Sequence, residues 1–506
     1  MRRLNSPLWL DAADTHYPTV QGPVNVDVAV VGAGITGTTA AYLLKQAGKR
    51  VALLESDRIC AGATGYTTAK LTVGHGLVYG ELIDSFGVET ARRYALSNQQ
   101  AIETVAGIVE QHGIDCDFER ASNFVYTETA ESAHEFEREA KAARRAGIDA
   151  HVTTETDLPY PVAAAIRVDQ QAQFHPWKYV AGLAGLVDGD GSHVLEQTRA
   201  TGVHAGDPCT VETTRGVVRA GHVVIATQLP FTDRGLFFAR THPIKSYAIA
   251  APIREEEAPR GMYISIDEPK RSVRSTPGEH GRIIIVGGES HRPGEEQSPG
   301  ARYNSLEEFL HERFGLDAAR WRWSTHDYIP LDGLPYIGRL LPRDDRVLIA
   351  TGYAKWGMTK GTFAAEILAD SILGRPNENA ALYDAQRWRL RQSAPVLAKE
   401  GSRVAFAFVR DRLRRRDARA TIEALKPGEG ANVRIGHKQL AAYRDDAGKL
   451  HVLSARCTHL GCIVGWNAAD RAWECPCHGS RFAADGALVQ GPATADLADE
   501  SSALIG

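Results

Sequence analysis

No stretch of about 18 apolar residues, the length a helix needs to cross a bilayer, occurs in this 506-residue sequence. The opening residues, Met1 to Leu10, lack the apolar core of a secretory signal, and Arg2-Arg3 is not followed by one. A cytoplasmic location is the expectation. Charge of one sign is also lacking: the net charge of −4 points to no particular partner. No internal repeat stands out. Three of the seven cysteines, Cys60, Cys116 and Cys209, are scattered, and give no disulfide framework in a reducing compartment. What is present is an ordinary globular composition, 43% hydrophobic and 24% charged. The chain is too long for one hydrophobic core, so two to four domains are expected. Its 48 glycines point to many turns and close backbone approaches to a ligand.

The other four cysteines are gathered between residues 457 and 478. The first group runs Cys457-Thr458-His459-Leu460-Gly461-Cys462, and the second Cys475-Pro476-Cys477-His478-Gly479-Ser480. Each group offers one thiolate and one imidazole at short spacing, the ligands of an iron–sulfur centre in which two histidines replace two cysteines on one iron. A Cys2His2 set also suits zinc. The pattern closely resembles the Rieske [2Fe-2S] domain. That resemblance implies Cys457, His459, Cys475 and His478 as cluster ligands, and a disulfide between Cys462 and Cys477 that clamps the two loops. Three further matches weigh against zinc. Ser480 stands where that family places a hydroxyl bonded to a cluster sulfur. Gly491-Pro492-Ala493 matches its proline loop, and residues 422–452 read as short strands with Gly and Asp turns. Phe482 departs from the pattern, because high-potential members carry Tyr there. One fewer hydrogen bond to the reduced, more negative cluster should lower its potential.

Residues 27–55 carry the second signal. The run Asp27 to Val31 reads as a buried strand, then come Gly32, Gly34 and Gly37, a helix over 38–47, and a second strand, Val51 to Glu55. Gly32 permits a tight turn, Gly34 lets a pyrophosphate approach the backbone, and Gly37 allows close helix–strand packing. Ile35 and Thr36, between the second and third glycines, are further cofactor contacts, and the helix N-terminus then faces the phosphates. Glu55, followed by Ser56, is placed to accept hydrogen bonds from an adenosine ribose. A Gly/Thr-rich loop follows with Gly62, Ala63, Thr64, Thr67 and Thr68. That loop resembles the second flavin contact of the D-amino-acid, glycine and sarcosine oxidase (DAO) superfamily. Other stretches resemble the same family: the helix from His175-Pro176-Trp177, strands over 194–203 ending at Val203, the strand to Thr227, and Asp332 to Gly338. The last is the strand from Val347 into Gly352, Trp356, Gly357, Met358 and Thr359. The resemblance covers about residues 25–375 and implies FAD. Residues 283–288 could be taken for a second nucleotide turn, but they lack a third glycine and a following helix, so only one dinucleotide site is expected.

The expected fold is therefore an α/β FAD-binding Rossmann-like domain with an antiparallel-sheet substrate domain, DAO-like, over 1–386. The FAD-binding parts are about 25–75, 150–230 and 330–375, and the substrate and cap parts about 76–149 and 231–329. A C-terminal all-β Rieske domain occupies 421–506. The joint between them, 387–420, is basic: residues 387–419 carry a net +8 while the rest of the chain carries −12. It reads as a linker helix docked on the acidic remainder, or as a contact for an acidic redox partner or an anionic membrane surface, along which residues 404–409 could lie. No nucleic-acid motif accompanies the charge.

The family resemblance places His75, Lys245, Tyr247, Tyr353, Lys355 and Trp356 facing the flavin. Lys245 or Arg274 could hold a substrate carboxylate. FAD takes two electrons and a Rieske cluster carries one, so both on one chain imply a two-to-one electron converter. The expectation is an FAD-dependent dehydrogenase of an amine or amino acid. Electrons would pass singly through the cluster to an external acceptor, which could be a ferredoxin, a quinone or a cytochrome. The alternatives are a reductase running the other way and a non-enzymatic redox sensor.

Overall fold

The computed structural model describes residues 6–11, 13–294, 299–413 and 418–504. Strand Val24–Val31 lies at the centre of an eight-stranded sheet, flanked in parallel by Val217–Ile225 on one side and Val51–Leu54 on the other. The residues of Val51–Leu54 and the last four of Val24–Val31 are buried, as a parallel strand covered on both faces requires. Asp344–Thr351 continues the parallel set next to Val217–Ile225. Helix Ile35–Gln46 covers this sheet and packs on helix Gly357–Leu373. Gly37 permits the approach: a Cβ there would sit 1.8 Å from the carbonyl oxygen of Gly32.

A nine-stranded sheet forms the second layer. Its long members, Thr241–Ile253, Gly281–His291 and Trp321–Pro330, pair antiparallel, with the first between the other two. The stretch 283–288 is thus an interior sheet strand rather than a nucleotide turn. Helix Ala133–Arg145 packs on strands Ala150–Thr153 and Ala164–Gln173, and helix Tyr79–Phe86 packs between it and helix Val88–His112, which lies against Gly357–Leu373.

Helix Leu390–Leu413 leads out of this body, and its mid-helix Pro395 does not end it. Residues 414–417 of the basic run lie outside the described residues, as do the side chains of 404–413. Residues 418–424, whose last part the sequence pattern assigns to strand, form a helix. An Arg419–Glu423 pair at 3.0 Å joins successive turns. A three-stranded sheet (Gly430–Ile435, Lys438–Arg444, Leu450–Ser454) and a four-stranded sheet (Gly465–Asn467, Ala472–Glu474, Arg481–Ala483, Leu488–Gln490) complete the chain. No helix among the described residues is long and apolar enough to cross a membrane.

Candidate functional site

A cavity of about 850 Å3 opens where strand Val24–Val31 turns into helix Ile35–Gln46, within the roughly 300–1,000 Å3 usual for cofactor sites. Gly32 takes φ +102° at the turn. Glu55, at the end of the neighbouring strand, accepts from the backbone N–H of Ala33 at 2.9 Å and of Asp57 at 3.0 Å, and from Ser56 Oγ at 3.0 Å. Burial raises its pKa, and those donors oppose the rise. Thr64 Oγ1 accepts from Ile35 N at 3.0 Å, tying the Gly/Thr-rich loop to the helix N-terminus.

Of the residues expected to hold the cofactor, Gly32, Gly34, Ile35, Thr36, Glu55, Ser56, Gly62, Ala63, Thr64, Thr67, Thr68, Thr227, Trp356, Gly357 and Met358 border this cavity. Gly37 acts through packing alone. Three others stand back from it. Val203 turns into the core under the sheet, and Thr198, Arg199 and Ala200 take that wall instead. Gly352 sits against the ring of Pro330. Thr359 donates its hydroxyl to Asn98 Oδ1 at 2.7 Å, away from the cavity.

The expected pocket residues divide in the same way. His75 stacks on Trp356, with ring centroids 4.3 Å apart. Its Nδ1 meets Tyr94 Oη at 2.6 Å, while its buried Nε2 has no partner. Burial, and then the charge of Lys360, hold its pKa well below the ordinary histidine value. Tyr247 and Tyr353 also line the cavity. Their hydroxyls meet His291 Nε2 at 3.0 Å and Thr36 Oγ1 at 2.9 Å. Lys355 is held at φ +72° and donates to Ser290 Oγ at 2.5 Å. Burial lowers its pKa to about 8, against the attraction of Asp327.

Lys245 and Arg274 do not reach the cavity, which corrects their expected roles. Arg274 is buried beneath the Gly/Thr-rich loop and donates to the carbonyls of Thr68 at 3.1 Å and Ala69 at 2.7 Å. Lys245 points the other way, into the C-terminal domain. Its fully buried Nζ pairs with Asp470 Oδ2 at 2.5 Å and Glu474 Oε1 at 2.6 Å. Arg481 Nη2 joins Asp470 at 3.2 Å, and Ser324 donates to the same carboxylate at 2.6 Å. Burial opposes ionisation of Asp470, but Lys245 and Arg481 hold its carboxyl below the usual range.

The four ligand candidates converge at the tips of two loops. Cys457 and Cys475 are buried thiols, and Ser480 Oγ accepts from the N–H of Ala493 at 3.1 Å. The rings of His459 and His478 are 4.9 Å apart, and the buried Nδ1 of each has no partner. Two thiols and two unpartnered imidazole nitrogens fit a centre that takes two sulfurs and two nitrogens from protein. The sulfurs of Cys462, Cys475 and Cys477 also lie within 4.8 Å of one another. Cys462 and Cys477 are joined as a disulfide, however, so their sulfurs are not ligands. Phe482 is wholly buried.

These loops rest on the first domain. Tyr328 Oη donates to the carbonyl of His478 at 2.8 Å. His326, which lines the cavity, meets the carbonyl of Gly479 through Nδ1 at 2.9 Å. Burial lowers the His326 pKa to about 3, with Glu474 opposing. Phe238 turns its ring edge-on to both His459 and His478. Val489, Gln490, Gly491, Ala493 and Thr494 line the cavity itself, and Gln490 donates to Gln228 Oε1 at 2.8 Å. The sequence carries no local sign that this segment belongs to the cavity.

Comparison with known proteins agrees with this anatomy. Residues 27–371 match the family model "FAD dependent oxidoreductase", and residues 418–500 match "Rieske [2Fe-2S] domain". The Rieske 2Fe-2S iron-sulfur protein YhfW of Bacillus subtilis (strain 168) is 34% identical over 97% of this chain and 96% of its own. Gamma-glutamylputrescine oxidoreductase of Escherichia coli (strain K12) is 23% identical over 82% of this chain and all of its own. The glycine oxidase structure from Geobacillus kaustophilus superposes with a TM-score of 0.60 at 19% identity. It covers 72% of this chain and all of that one.

Proposed function

The chain belongs to the FAD dependent oxidoreductase family and carries a Rieske [2Fe-2S] domain, and from that premise we propose that it is a dehydrogenase of an amine or amino-acid-like substrate. In this reading electrons leave the substrate at FAD, pass singly to the cluster, and go on to an external one-electron acceptor. The observation that carries the reading is the shared cavity: residues of both domains line it, and His326 joins its wall to the cluster loop at Gly479. FAD supplies two-electron chemistry at a C–H bond beside nitrogen, and the cluster supplies one-electron transfer.

The chain's own residues would divide the work. The backbone N–H groups around Gly34 and the N-terminus of helix Ile35–Gln46 would hold the pyrophosphate. Glu55 would accept from the ribose. His75, kept neutral by burial and by Lys360, offers an unpartnered Nε2 as a proton acceptor for the amine. Lys355 would orient an anionic group of the substrate. Cys457, Cys475, His459 and His478 would hold the cluster, and the disulfide and segment 489–494 would keep water from it. The names of relatives support the substrate class, since glycine and gamma-glutamylputrescine are both amines.

An anaerobic titration tests the direction. Secondary amines, amino acids, NADH and NADPH would be added in turn while flavin absorbance and the cluster's EPR signal are followed. Bleaching by an amine, with appearance of the cluster signal, is the expected result. Bleaching by a nicotinamide alone would replace the dehydrogenase by a reductase.

A further inference from the structure

The two histidines that suit the iron are sheltered by one short stretch of the first domain. After strand Val217–Ile225 the chain crosses to strand Thr241–Ile253 through residues 226–240. Within that crossing the N–H of Leu236 donates to the carbonyl of Asp233 at 3.2 Å, and Gly235 and Leu236 take φ of +80° and +54°. A Cβ on Gly235 would lie 2.8 Å from the carbonyl oxygen of Leu340, so glycine lets this turn sit directly on the eight-stranded sheet. The short helix Phe237–Arg240 follows, and Arg240 donates to the carbonyls of Ala385 and Arg387 at 2.7 Å each. The stretch is anchored to the first domain at its turn and at its helix.

It offers two side chains to the cluster loops. Phe238 stands edge-on to His459 and His478, with ring centroids 5.7 Å and 5.3 Å away. Asp233 Oδ1 meets His459 Nε2 at 2.8 Å, across 226 residues of chain. The Nδ1 of His459 is buried and has no protein partner, which leaves it for the iron. With Nδ1 so used, Nε2 carries the proton and donates it to the carboxylate. Carboxylate, imidazole and metal then form the chain in which an outer acid orients a histidine ligand and makes it more basic. The His459 side chain is 5% exposed and that of Asp233 54%.

We infer that Asp233 is a positioning residue for the cluster and holds its reduction potential down, so that the potential is set in part by the first domain. Reduction adds one electron, and with it one negative charge, to the cluster, and no bond forms or breaks. A carboxylate on a ligand opposes that added charge and makes the imidazole a better donor to oxidised iron, and both effects lower the potential. Phe238 works in the same direction by keeping water from the histidines, and so does the absence of a hydroxyl at buried Phe482. Solvent partly screens the half-exposed carboxylate. The expected effect is therefore about tenfold in the one-electron exchange equilibrium, or about 59 mV. Because Asp233 comes from the other domain, this low potential belongs to the docked arrangement, and a C-terminal domain that swung free would hold its electron more tightly. Only the fit of the four ligands to the cluster is needed for this, not the dehydrogenase reading.

EPR-monitored potentiometry of the holoprotein, with dithionite and soluble mediators and no substrate, tests it. Asp233→Asn keeps a hydrogen-bond acceptor and removes the charge, and should raise the cluster midpoint by about 59 mV, a tenfold shift. Asp233→Ser should raise it likewise, and Asp233→Glu, which keeps the charge, should stay close to the unmodified protein. The flavin midpoint, read by absorbance in the same experiment, should be equal in all four proteins. A cluster midpoint unmoved by Asn and Ser, or moved as far by Glu, would overturn the assignment. So would a matching shift of the flavin midpoint, which would mark a change in the whole assembly rather than at His459. Loss of the cluster signal in both uncharged variants would overturn it as well, since Asp233 would then serve cluster assembly and not the potential. No amine enters this experiment, so a failure of the dehydrogenase reading shows only in the substrate titration and a failure of the Asp233 role only here.

Discussion

Lys245 Nζ lies 2.5 Å from Asp470 Oδ2, an ion pair buried between two domains whose partners stand 225 residues apart in the chain. Glu474, Arg481 and Ser324 complete the cluster. Removing one partner of such a set leaves uncompensated charge in a site water does not reach. Lys245→Ala should therefore destabilise the docked arrangement by about 3–5 kcal/mol. Denaturant unfolding followed separately at flavin and cluster absorbance would show it, as a C-terminal domain that detaches before the flavin domain unfolds. Coincident, unshifted transitions would count against the latch. The variant should leave the KM for carboxylate substrates unchanged, since Lys245 does not border the cavity.

Glu55 ties the glycine turn to the second strand through two backbone donors. Glu55→Gln replaces one acceptor oxygen by an NH2 group that faces an N–H. An unmet buried donor costs about 1–3 kcal/mol, so the apoprotein should bind FAD at least about fivefold more weakly. Titration of flavin fluorescence measures this directly.

The Lys355 amine, lowered by burial to about 8, is protonated below that pH and neutral above it. If it holds an anionic group of the substrate, the affinity for an anionic competitive ligand is full below pH 8. It then falls by about tenfold per pH unit above it, as one proton is lost. Lys355→Gln should flatten that profile and weaken binding at pH 7. A profile identical in the variant would remove Lys355 from the role.

The disulfide Cys462–Cys477 closes a loop of sequence separation 15 that spans Cys475 and ends beside His478. Closing a loop of that size contributes about 3 kcal/mol in the chain-entropy view. Replacing both cysteines by serine should lower the denaturant concentration at which the cluster is lost and leave the flavin signal in place. Cys457→Ala should abolish the cluster's EPR signal while the protein still binds FAD.

Much of this site is legible in the sequence because its chemistry is local. Gly32, Gly34 and Gly37 are dictated by one turn between one strand and one helix. The four candidate ligands sit in two short Cys-x-His and Cys-x-x-His stretches, and the resemblance to a known domain is carried by those few residues. Strand Gly281–His291 is likewise separable from a nucleotide turn, because Arg292-Pro293-Gly294 rather than a helix comes directly after it.

The same reasoning fails where a side chain's partner is remote. Arg274 and Lys245 are cations on strands of the substrate sheet, and nothing near them in sequence tells a substrate anchor from a structural tie. Arg274 is used up by the carbonyls of Thr68 and Ala69, and Lys245 by two carboxylates of the other domain. Val203 turns into the core because the pleat of its strand sets which face each residue takes.

By itself, then, the sequence determined the two cofactor chemistries, because glycine turns and ligand loops act over a few residues of backbone. Only the tertiary structure decided that segment 489–494 helps to wall the cavity beside the glycine turn, that His478 faces Phe238 and that His459 faces Asp233. Those contacts form between residues far apart in the chain. They depend on how two separately folded surfaces match in shape and charge, which no short stretch of sequence encodes.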